Sequence, residues 1–254
     1  MKLLCLFVVL LLWQIAPLRV YTQKFPLLDY AIDQLENCLN RVRWFLSDTG
    51  LLGLALIASL ALSLIDTVLG IGLVRFVYDC LILWFILSSL QKIEFPPSIP
   101  EIQLEENKNP LFAQLPASLW SISYYWVSPL FSYVLFGVFG LGFYWALCYL
   151  GQKAQGSKQN LARGAVAGID WAPVRLLAFA YAIAGNFSKG LRVVSEYFGA
   201  DTHYNQYILL RTVFVSVEDE TIENGLAHCI RIQRDACILL LGIYALLAVL
   251  TWLI

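Results

Sequence analysis

Apolar residues fall in long uncharged runs, separated by shorter stretches where proline, glycine and charged residues gather. A hydrocarbon core of about 30 Å takes about 20 residues of α-helix, so runs of that length predict membrane spans. Five are predicted, over about residues 3–20, 49–68, 72–91, 130–150 and 236–254. The first, between Lys2 and Arg19, has a signal-peptide profile but no small-x-small cleavage site within reach, so it reads as a retained helix. Gly70 and Gly72 mark a tight hairpin between the second and third. No charge occurs between Lys108 and Lys153; Pro110, Pro116 and Pro129 break the first half of that stretch and place the fourth span in the second. Trp120, Tyr124, Tyr125 and Trp126, just before it, suit an interfacial aromatic belt.

The polar segments carry structure of their own. From Leu28 to Leu46 apolar residues recur with helical spacing, which predicts an amphipathic helix packed on its own bundle. Phe95 to Asn109, with Pro96, Pro97 and Pro100, reads as an extended linker. In Gly168 to Gly185, Asp170 is placed to cap a helix whose first turn tolerates Pro173, running Val174 to Ala184 and closed by Gly185 and Asn186. Such a helix is too short to span, and must lie in the interface or against the bundle. The fold class expected is all-α: a polytopic transmembrane helical bundle with interfacial or amphipathic helices, forming a single membrane domain over 1–254.

Composition agrees with that class. Hydrophobic residues make up 59% and charged residues 14%, where a soluble domain carries about 25% charged, and the mean hydropathy is +0.69. With 17 Lys+Arg against 18 Asp+Glu there is no basic surplus to draw nucleic acid. The six cysteines include no C-x-x-C pair, which argues against a zinc or redox centre. Orientation follows Lys/Arg placement. Lys2, Arg75, Lys153, Lys158, Arg163, Arg231 and Arg234 flank one side, and Arg19, Lys24, Arg41, Arg43 and Lys92 the other. The majority puts 151–235 in the cytoplasm as a helical segment.

Ionisable residues inside apolar runs are functional candidates because intramembrane charge is costly. Asp66, Arg75 and Asp79 cluster around the Gly70 hairpin; Arg75 and Asp79, at i and i+4, can neutralise one another, and the alternative is an ion or substrate path. Gly151 to Lys158 superficially matches a phosphate-binding loop, but its Ser157 and Lys158 are in reversed order and no strand precedes it, so it reads as a linker. His203 and His228 lack metal-ligand spacing. The polar run Asp201 to Gln206, with Thr202, His203, Tyr204 and Asn205, reads either as a helix N-cap or as a ligand-binding turn. Glu218, Asp219, Glu220 and Glu223 read as a solvated helix start. Arg175, near the N-terminal end of its expected helix, gains nothing from that helix's dipole and needs an anionic partner or solvent. Asp201 is the expected partner, with Arg175 and His203 facing one pocket.

The run Asp170-Trp171-Ala172-Pro173-Val174-Arg175-Leu176, followed by Tyr181, Ala182 and Gly185 and then by the His203 to Tyr207 cluster, closely resembles the AmpE family. Those are inner-membrane modulators associated with β-lactamase induction and muropeptide recycling. The family is in turn similar to the CobD/CbiB membrane synthases, which use ATP to join an amino alcohol to a corrinoid: Pro173-Val174-Arg175-Leu176 parallels their P-A-R-L, and Ser128-Pro129-Leu130-Phe131 their A-P-L-F. The similarity covers about residues 126–215. The synthases' acidic E-N-x-x-D-G run is replaced by Trp120 to Tyr125, and their G-R-D-T and H-P-V motifs are missing. Amide formation from ATP needs groups that hold Mg²⁺ and accept protons, which aromatic replacements cannot supply. The resemblance therefore implies a bacterial inner-membrane sensor or modulator, without catalytic residues, cofactor or metal. Its partners would be the lipid bilayer and a muropeptide-like or other anionic small ligand. The candidate ligand-binding residues are Asp170, Arg175, Asp201, His203, Asn205 and Gln206. The alternatives are a membrane ATP-dependent amide ligase and a component of a small-solute transporter.

Overall fold

The structure, a computed structural model, describes residues 48–69, 73–90, 123–153, 156–217 and 222–253. All regular structure among them is helical. The expected span at 3–20, the amphipathic segment 28–46, the linker 95–109, Trp120 and the Glu218 to Glu220 run lie outside the described residues. The chain divides into two compact units, one of residues 1–94 with 132–163, the other of 95–131 with 164–254.

In the first unit, helices α1 (Asp48–Val68) and α2 (Leu73–Leu90) stand where the second and third spans are expected. Both are runs of strong helix formers and apolar β-branched residues; Asp66 is buried in the last turn of α1 and Asp79 in the second turn of α2. Each turns apolar residues outward: Ile57, Leu60 and Leu64 on α1, Val74, Val77 and Leu81 on α2. Helix α3 (Ser128–Lys153) follows a π-helical turn (Ser123–Val127) and is broken at Gly137, with φ 66° and ψ −149°. That conformation is essentially restricted to glycine. Small residues bring α1 against α3: Ala55 shares a core with Ala146, Leu150 and Ala162, flanked by Phe143 and Trp145. A Cβ on Gly142 would lie 3.0 Å from Leu62 Cδ1. Close approach through small residues is how apolar helices associate when lipid competes equally for their side chains.

Helix α4 (Ser157–Ala184) corrects the sequence expectation. It is one helix of 28 residues carrying Pro173 in its interior. Asp170 is a buried interior position of that helix, not a cap, and the helix is not too short to span. Among the described residues Gly156, at φ 67°, marks the turn before it, and 151–153 and 157–158 of the expected 151–158 linker belong to α3 and α4. Pro173 removes one intrahelical hydrogen bond, yet burial of Val174, Leu177, Ala178, Tyr181 and Ala182 along one side holds the helix through it. The end is as expected: Gly185 N donates to Tyr181 O at 2.9 Å, and Asn186 caps the next helix by accepting from Lys189 N.

Helix α5 (Phe187–Tyr197) doubles back along the second half of α4, and α6 (Asn205–Val217), entered by a 3-10 turn (Thr202–Tyr204), returns beside it. A Cβ on Gly190 would lie 2.8 Å from Ala182 Cα, so only glycine lets α5 approach this closely. At the other end of α6, Ser216 Oγ accepts from Asn186 N at 3.0 Å. Helix α7 (Ile222–Leu253) begins well before the expected run at 236–254. Its charged first half is helical because Cys229, Ile232, Ala236, Leu240 and Tyr244 form one continuous buried stripe. Tyr244 Oη donates to Val127 O at 3.0 Å.

Among the described residues, two helices are long and apolar enough to cross a membrane by length and composition: Tyr125–Gln152, of 28 residues, and Gln159–Ala184, of 26.

Candidate functional site

Arg175 is 3% exposed, and its guanidinium is enclosed by four neutral acceptors. Nε donates to Phe198 O at 3.1 Å and Nη2 to Ala200 O at 2.8 Å, while Nη1 donates to Trp171 O at 3.1 Å and also to Asn205 Oδ1. The guanidinium carbon stands 4.5 Å from the Trp171 ring centroid, in cation–π contact. Phe198 and Ala200 follow the last turn of α5, where carbonyls lack intrahelical partners and the helix dipole is negative. The charge that finds no favourable dipole in its own helix thus takes the C-terminal end of another, the place where cations stabilise helices.

Two further groups extend this joint. Trp171 Nε1 donates to Ala200 O at 3.3 Å. Asn205, 2% exposed, accepts from Arg175 through Oδ1 and donates through Nδ2 to Ala167 O at 3.0 Å. Asn205 fits because its amide supplies one acceptor and one donor in opposite directions, which neither Asp nor Leu can do.

Of the expected residues, the structure brings together Arg175 and Asn205. Asp201 is corrected as the partner of Arg175: it is exposed, and its carboxylate is not among the guanidinium's acceptors. Nor does its side chain cap the 3-10 turn; its carbonyl accepts from Tyr204 N at 3.0 Å. His203 is exposed, its ring 4.3 Å from that of Tyr204, so it does not face a pocket shared with the buried Arg175. Asp170 is 2% exposed within α4. Gln206 Oε1 is buried without a hydrogen-bond partner among the described residues. Sequence reasoning missed Trp171 as a side-chain member, and Phe198 and Ala200 entirely, since their contribution is main-chain oxygen that any residue carries. The one available signal was the pairing of an arginine with a tryptophan one helical turn earlier.

A second polar cluster lies in the other unit. Arg75 holds Asp66 in a bidentate pair, Nε to Oδ1 and Nη2 to Oδ2, both 2.8 Å. The bidentate partner of Arg75 is thus Asp66 on α1, whose two oxygens a planar guanidinium fits, rather than the expected Asp79 one turn further along α2. Asp79, 4% exposed, accepts from Tyr133 Oη at 3.3 Å through Oδ2, while its Oδ1 is buried with no hydrogen-bond partner among the described residues.

Compared with protein-family models, with curated proteins and with solved structures, the chain significantly matches none of them.

Proposed function

We propose that the chain is a polytopic helical protein of the bacterial inner membrane, of AmpE type, acting as a sensor or modulator tied to β-lactamase induction and muropeptide recycling. The observation that carries this reading is the hydrogen bond from Arg175 to Asn205. The two stretches on which the resemblance rests, Asp170 to Leu176 and His203 to Tyr207, are separate in sequence and meet in one buried joint. A shared motif whose halves interlock supports a shared scaffold better than either half does alone. The joint is closed by carbonyls and an amide; Arg175 is spent on positioning α5 and α6, which favours a conformational role over group-transfer chemistry. A muropeptide-like or other anionic ligand would then act by competing for Arg175 with the carbonyls of Phe198 and Ala200.

The test is β-lactamase induction by a cell-wall antibiotic in a strain lacking the gene, complemented with wild type, Arg175→Ala or Arg175→Lys at matched membrane abundance. Wild type should restore the response and both variants should fail, lysine nearly as badly as alanine. Arg175 serves acceptors in divergent directions, and an ammonium cannot reproduce that fork. Unchanged induction in the strain lacking the gene overturns the reading.

A further inference from the structure

The second unit holds a helical hairpin whose geometry becomes informative if α4 crosses the membrane, the reading on which this inference rests. Helix α5 has 11 residues and α6 has 13, so at 1.5 Å per residue they are about 17 and 20 Å long, well short of an apolar core of about 30 Å. Neither can cross. Yet neither lies flat, because each is tied to α4 at two levels. At the end of α4, Gly190 of α5 rests on Ala182, and Ser216 of α6 meets Asn186. Deeper along α4, Arg175 and Trp171 bind the carbonyls after α5, and Asn205 at the start of α6 binds Ala167 O. Residues 171–175 lie roughly 14–20 Å from the end of α4, about half the depth of the core.

We infer that α5 and α6 form a re-entrant pair that enters and leaves on the side where α4 ends, with its apex near mid-membrane facing a water-filled vestibule. Non-helical backbone at that depth is tolerated only where protein buries it or water reaches it. Arg175 and Trp171 satisfy the apex carbonyls from the protein side, and Asp201 and His203, exposed on the other, call for water there. The outer face of α5 also exposes Arg192 and Glu196, charges that cannot face lipid cheaply. Helix α6, by contrast, buries nearly every residue from Ile208 to Val217, so it is covered by protein. Paired half-helices meeting at the midplane are how membrane proteins bring polar groups to a solute path. The vestibule admits water and small polar solutes.

Single cysteines in a background with the native cysteines replaced test this with a membrane-impermeant thiol reagent, applied from either side. Ser188→Cys at the mouth, and Asp201→Cys and His203→Cys at the apex, should all label from one and the same side. Phe179→Cys and Ile183→Cys, on the outward apolar flank of α4, should be shielded from both. Apex labelling from the side opposite Ser188, or none from either, with Phe179 and Ile183 still shielded, overturns the re-entrant vestibule alone. Labelling of Phe179 and Ile183 at the rate of Ser188 overturns the spanning of α4 and the inference with it. Hydroxyl-radical footprinting of the unaltered protein in nanodiscs gives an independent measurement: His203 should be oxidised and Phe179 protected, and protection of His203 counts against the vestibule.

Discussion

At the scale of the residue, a buried arginine and a half-buried one are held in opposite ways. Arg175 is held by dipoles and Arg75 by a carboxylate, so the consequences of removing a partner differ. The Arg75 side chain is 33% exposed, so loss of the Asp66 charge, which removes its fork partner, costs less than the roughly 3–5 kcal/mol of breaking a fully buried pair. Asp79 is another matter, since among the described residues one of its oxygens has no hydrogen bond and the other accepts from Tyr133, a role that an amide oxygen fills equally well. Asp66→Asn should therefore lower resistance to denaturant in detergent, whereas Asp79→Asn should be neutral or stabilising. Equal destabilisation by the two would mean that both carboxylates serve Arg75. By the same logic Asn205→Leu should be costly despite its similar volume, because it leaves the Arg175 Nη1 proton and the Ala167 carbonyl without their partner.

At the scale of the element, glycine decides where helices bend and where they touch, and its surroundings give the sign of each substitution. Gly137 sits at φ 66° and ψ −149°, so alanine there must either bear about 1–3 kcal/mol of backbone strain or straighten α3. Gly190→Ala would gain up to about 1 kcal/mol of helix propensity, but its Cβ would lie 2.8 Å from the Ala182 main chain, and the backbone contact wins. Gly164 and Gly168 have nothing within 4 Å of an added Cβ, so only the propensity gain applies. Thermal unfolding should rank Gly164→Ala and Gly168→Ala above wild type, and Gly137→Ala and Gly190→Ala below it. A stabilising Gly190→Ala would show that α5 does not lie against α4 as described.

At the scale of the whole molecule, the side of the C-terminus depends on α4. The five spans expected from the sequence leave α4 uncrossed and, with the Lys/Arg distribution, would put the C-terminus outside the cytoplasm; a crossing α4 is a sixth span and returns it to the cytoplasm. With α4 crossing, a C-terminal green-fluorescent fusion should be bright and an alkaline-phosphatase fusion inactive. The reverse pattern would leave α4 uncrossed or invert the orientation. Outward-facing leucine, isoleucine and valine on α1 and α2 are consistent with lipid contact, because a water-facing surface rarely gathers so many large apolar side chains. The two candidate crossings, in α3 and α4, have the length and composition that an apolar core requires.

Hydropathy and spacing by themselves determined the helical class, the positions of α1 and α2, the body of α3, and the stop at Gly185 and Asn186, because each follows from local rules: length of apolar run, turn glycines, capping chemistry. They also marked Arg175 and Asn205 as residues needing an explanation. The continuity of α4 lay beyond them. Asp170 followed by Pro173 is locally as good a helix start as a helix interior, and only the side chains packed against Val174, Leu177 and Tyr181 settle which it is. The partner of Arg75 was equally ambiguous, since Asp66 and Asp79 are both within reach on sequence, and the placement of α1 beside α2 selected Asp66. The environment of Arg175 was the least legible feature. Three of its four acceptors are main-chain carbonyls, groups that every residue carries; only the folding of α5 back along α4 gives two of them, the carbonyls of Phe198 and Ala200, a place beside the guanidinium.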